Sequence, residues 1–73
     1  MRARPMLHEY DTVRLIKPIN GKPIPVGALG AILIDYGSSP PAYEVEFLSD
    51  EGESLGVVTV TGDALERAEQ ARR

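Results

Sequence analysis

Five carboxylates fall within ten residues: Glu44, Glu46, Asp50, Glu51 and Glu53. Glu44 and Glu46 are two apart, so an extended chain sets them on one face. Asp50, Glu51 and Glu53 surround Gly52, in a stretch of turn formers. Carboxylates so placed can hold a cation, exchange protons or dock a basic surface. The first role needs converging ligands, and the spacing is not that of an EF-hand loop. The second needs a reacting partner. His8 is the lone histidine, and a base requires a nucleophile to activate or a carboxylate to orient it. Glu9 follows directly, and neighbours on a strand point to opposite faces. Gly27-Ala-Leu-Gly30 lacks the third glycine of a dinucleotide loop and the Lys-Ser/Thr of a phosphate loop. The chain has no cysteine, which removes disulfides, thiolate zinc sites and thiol nucleophiles together. No catalytic set assembles, and neither a metal nor a cofactor is expected. The expected chemistry is docking, because clustered carboxylates produce a field that steers a basic surface.

The remaining candidates narrow the partner. Tyr10, Tyr36, Tyr43 and Phe47 are the whole aromatic set, and tryptophan is absent. A groove that reads proline-rich peptides needs several exposed aromatics, whereas Tyr43 and Phe47 fall on an apolar strand face. Single-stranded nucleic acid asks for aromatics interleaved with basic residues, and these stand among acids. The loop Pro18–Gly27 is long for so short a chain. Its Ile19 and Ile24 either expose apolar surface to a partner or pack across the mouth of the fold. Net charge is −3, but residues 5–66 hold ten carboxylates against Arg14, Lys17 and Lys22, a net of −7. The expected partner is therefore another protein with a basic surface. It meets Glu44, Glu46, Asp50, Glu51, Glu53, Ile19 and Ile24. Specific nucleic-acid binding is not expected, and a homo-oligomer stays open.

The elements that must position these residues read as strands. Tyr10–Lys17 alternates, with Val13 and Leu15 on one face and Thr12 and Arg14 on the other. Asn20-Gly21 and three prolines then mark turns. Gly30, at the entrance of the apolar run Ala31–Tyr36, predicts a bulge, a bend or a close backbone approach. Ala42–Leu48 sets Tyr43, Val45 and Phe47 against Glu44 and Glu46. Gly52 suits a hairpin turn closed by a glycine bulge, leading into the β-branched run Leu55–Thr61. Gly62–Glu66 predicts one helical turn with Asp63 as its cap, and a fifth strand near Leu65–Ala68. Val13, Leu15, Ile32, Ile34, Tyr43, Val45, Phe47, Val58, Val60 and Leu65 are the expected core. Short strands joined by turn-rich loops predict an all-β fold, a small SH3-like antiparallel barrel of four to five strands. The barrel is expected over 7–66, with a flexible extension at 1–6 and a flexible or frayed helical tail at 67–73. Met6 is as good a natural start as Met1.

Three strings carry a family likeness: Leu7-His-Glu-Tyr-Asp-Thr-Val-Arg-Leu15, Ile24-Pro-Val-Gly-Ala-Leu-Gly-Ala-Ile32 and Ala42-Tyr-Glu-Val-Glu-Phe47. Together they resemble a family of small uncharacterised bacterial proteins, over about residues 7–66, which implies a fold but no activity. Asp11–Leu15 with Gly27–Ile32 is more loosely similar to KOW-type SH3-like barrels. That likeness implies the alternative function, a module contacting RNA or a ribonucleoprotein. The first reading is a non-catalytic interaction module, a small accessory, regulatory or neutralising partner of another bacterial protein. No apolar run approaches the ~20 residues of a membrane helix, and the N-terminus lacks a signal-peptide core. Absence of cysteine fits a reducing cytoplasm.

Overall fold

The computed structural model describes residues 7–68. It is all-β: β1 (Thr12–Leu15), β2 (Leu29–Asp35), β3 (Ala42–Leu48), β4 (Ser54–Thr61) and β5 (Leu65–Arg67). A single 3₁₀ turn, Gly62–Ala64, joins the last two strands. All pairings are antiparallel, in one sheet of order β4-β3-β2-β1-β5.

Chain length dictates that this sheet curls. β4 and β5 are its opposite edges, yet only Gly62–Ala64 separate them in sequence. Four strand spacings of about 4.8 Å would hold the edges of a flat sheet about 19 Å apart. The links from Thr61 to Leu65 span at most about 14 Å. The strands therefore wrap around one interior. It holds Val13 and Leu15 of β1, Ile32 of β2, Tyr43, Val45 and Phe47 of β3, Val58 and Val60 of β4, and Leu65 of β5. Phe47, Leu15, Ile32, Val13 and Val45 are fully enclosed.

Two bulges decide which side chains face inward. Along β2, Ile32 pairs with Val45 but Ile34 pairs with Glu44, leaving Leu33 as an extra residue. One extra residue turns everything after it to the other face. Ile34 was expected in the core; it is 43% exposed on the outer face. Along β4, Phe47 pairs with Gly56 and Leu48 with Ser54, so Leu55 is extra. Gly56, at φ +137°, absorbs that distortion. The β3–β4 turn is as the sequence predicts. The Gly52 N–H donates to the Ser49 carbonyl at 2.9 Å, and Gly52 takes φ +87°.

Three core members lie outside the expected strands. Leu7 precedes β1, Ala64 lies in the 3₁₀ turn and Ile24 sits between two prolines in the β1–β2 loop. Of the two fates open to that loop, packing holds for Ile24, which is 6% exposed. The 3₁₀ turn is capped from Thr61 without a side-chain cap bond, so Asp63 is not its cap. Arg67 ends β5, and the Ala68 N–H donates to the Thr12 carbonyl at 2.9 Å. The expected tail thus begins inside the sheet; the rest of it, 69–73, and the extension 1–6 lie outside the described residues.

Candidate interaction face

The outer face of β2–β3–β4 carries Glu44 and Glu46, two of the five acids singled out in the sequence, and the other three adjoin it. Its residue lattice follows from register. Leu29 stands opposite Leu48, Ala31 opposite Glu46 and Ile34 opposite Glu44. On the other side of β3, Val57 stands opposite Glu46 and Thr59 opposite Glu44. Each glutamate is thus set between neighbours that carry no charge. Glu44 and Glu46 are half-buried there, while Asp50, Glu51 and Glu53 are exposed at the adjoining hairpin tip.

The apolar part of this face was not expected. Leu29 is 42% exposed, Val57 47% and Tyr36 50%, with Ile34 and Leu48 alongside. Single apolar residues on a surface are ordinary, whereas several on one sheet face make it a candidate binding surface. The sequence held a signal: Ala31-Ile-Leu-Ile34 is apolar at every position, so one of its faces had to be solvated or covered. Polar groups fix the centre of the face. Glu44 Oε1 accepts from the Tyr36 hydroxyl at 3.0 Å and from the Thr59 hydroxyl at 2.8 Å. The bond to the Glu44 carboxylate, with some desolvation, holds the Tyr36 phenol above its ordinary pKa.

The loop candidates do not join this face in an equal way. Ile24 is buried, and Ile19 is half-buried against the core. His8 lies instead in a turn before β1, where its backbone N–H donates to Asp11 Oδ2 at 2.8 Å. Tyr10 in the same turn takes φ +70° and exposes 79% of its surface. A tyrosine held in the left-handed region, where glycine is favoured, carries local strain.

Two ion pairs lie on the β5 side. Lys17 Nζ is 3.1 Å from Asp63 Oδ2, and Arg67 is 3.3 Å from Asp11 Oδ2. The Thr61 hydroxyl also donates to Asp63, and together with Lys17 it holds that carboxyl below its usual pKa. Thr61, Asp63 and Arg67 border an open groove of about 960 Å³ whose apolar wall includes Leu7, Pro41, Tyr43 and Leu65. Among the described residues, no three histidine or acidic side chains converge as a metal site would require. None of their helices is long and apolar enough to cross a membrane.

No curated protein and no solved structure matches the chain. A family profile does match, over residues 9–67. That span runs from the turn carrying Tyr10 to the last residue of β5 and holds the entire outer face. The chain belongs to the family described as a domain of unknown function, DUF4926.

Proposed function

We propose that this domain is a non-catalytic docking module that binds another protein through the outer face of β2–β3–β4. The observation that supports it is the exposure of Leu29, Ile34, Tyr36, Leu48 and Val57 on one sheet face with Glu44 and Glu46 among them. Apolar side chains supply contact area, and carboxylates at the hairpin steer and select a basic facing surface. The strand order, with β5 returning to β1 through a 3₁₀ turn, supports an SH3-like barrel as the scaffold. The absence of an assembled nucleophile, base or phosphate loop in the sequence supports a binding rather than catalytic role.

Affinity capture tests the reading with two variants that leave the core intact. Leu29→Glu with Ile34→Glu removes the apolar contact, and Glu44→Lys with Glu46→Lys reverses the charge. The expected outcome is a protein retained by the wild type and lost with both variants. Rebound in purified form, it associates about tenfold more slowly with the charge-reversed domain, since complementary charge steers the encounter. Circular dichroism verifies that each variant is folded. A partner held equally by all three proteins assigns docking to another surface.

A further inference from the structure

We propose that the chain pairs with a second copy of itself along the free edge of β4, extending the sheet antiparallel across a two-fold axis. The sheet has two edges, and the sequence treats them differently. β5 is three residues long, and two of these are the charged Glu66 and Arg67. Short strands and charged side chains are the usual means of keeping an edge unpaired. β4 has neither protection. It is eight residues long, Ser54-Leu-Gly-Val-Val-Thr-Val-Thr61, with no proline and no charged residue. Its bulge at Leu55 disturbs only the first part of the edge. Val57, Val58, Thr59, Val60 and Thr61 follow as five consecutive β-branched residues. Among the described residues, β4 pairs with β3 alone.

The occupant that fits this edge is a second copy. An antiparallel pair of identical strands is self-complementary, so the same edge serves both molecules and the assembly closes at two. With the two-fold axis at Val58, Val57 of each copy stands opposite Thr59 of the other, a β-branched pair free of like charge. Pairing leaves only the two β5 edges exposed, and those are the protected ones. The opposing influence is long-range, since each copy carries a net −3. Self-association is therefore weak at low ionic strength and strengthens as salt screens the repulsion. Docking to a basic partner has the opposite salt dependence.

Sedimentation equilibrium of the full chain, from about 1 µM to about 1 mM, tests the proposal. The interface is small, and the expected dissociation constant is on the order of 10–100 µM at ~150 mM salt. The mass should plateau at twice that of one chain, and dissociation should increase severalfold at ~20 mM salt. Val57→Glu with Thr59→Glu gathers four carboxylates about the axis, beside Glu46 and Glu44 of each copy, and should weaken association about tenfold or more. Leu29→Glu, away from the edge, should leave it unchanged. Hydrogen exchange of the wild type supplies a readout that needs no variant: protection of the alternate amides of Val57–Thr61 that face away from β3 should rise with concentration. A monomer at ~1 mM overturns the proposal. So does a dimer indifferent to the paired glutamate substitutions, or one without concentration-dependent protection in β4. Growth past the dimer without a plateau also overturns it, because a closed two-fold pair cannot propagate.

Discussion

At the residue scale, Glu44 gives the clearest link between sequence position and surface chemistry. It accepts two hydroxyl hydrogen bonds on a half-buried face, and its carboxylate disfavours ionisation of the phenol it binds. Tyr36 accordingly has a raised pKa. A phenol whose folded pKa is raised favours folding while it is neutral. That contribution is complete below the unfolded value of about 10 and is lost as pH climbs through the folded value. Replacing Glu44 with Gln removes the charge but keeps an acceptor. Tyr36 should then titrate closer to about 10, with Thr59 still bonded. Ultraviolet titration of the phenolates checks this, with Tyr36→Phe identifying the signal. An unchanged Tyr36 titration in Glu44→Gln would mean that the carboxylate does not govern it.

The strands themselves are set by one close approach. Gly30 is buried where β2 crosses β3, and an added Cβ would lie 2.6 Å from the Glu46 carbonyl oxygen and 2.9 Å from the Phe47 ring. The nearest obstacle is backbone, which cannot swing aside, so Gly30→Ala should cost roughly 3 kcal/mol. Phe47→Ala, at a fully enclosed ring, should cost about 3–5 kcal/mol by leaving a cavity. Urea unfolding measures both, and a Gly30→Ala domain as stable as wild type would refute the close approach. Gly30 was legible in the sequence because a glycine entering an apolar run has few other reasons to be there. So was the alternation of Tyr43, Val45 and Phe47 against Glu44 and Glu46, since period two leaves one inward set. Ile34 was not legible: the bulge at Leu33 depends on pairing with β3, and no residue in Ile32-Leu33-Ile34 announces it. Ile24 was hidden for a related reason, as prolines on either side mark a loop without saying which way it folds. The missed bulge also concealed the apolar part of the interaction face, so only its acidic half was visible beforehand.

For the whole molecule the decisive quantity is charge. Residues 7–68 carry ten carboxylates against four cations, Arg14, Lys17, Lys22 and Arg67, a net of −6. A surface that binds a phosphate backbone needs cations gathered on one side. The fold separates these and answers most of them: Arg14 stands opposite Glu66 across the β1–β5 ladder, Lys17 meets Asp63, and Arg67 meets Asp11. Repulsion from a polyanion acts over about 10 Å at 0.1 M salt, a distance close to the radius of the molecule. The likeness of the first two strands to RNA-binding barrels therefore lacks its electrostatic counterpart. Arg2, Arg4, Arg72 and Arg73, at the two ends of the chain, can supply only weak attachment that salt dissolves. The expected result is no specific RNA or DNA complex at ~150 mM salt, and loss of any low-salt gel shift when residues 1–5 and 69–73 are removed. The truncation keeps Leu7, the β5 strand and the Ala68 bond to β1. Micromolar RNA binding by that trimmed domain at ~150 mM salt would reverse the conclusion and make nucleic acid the first partner to pursue.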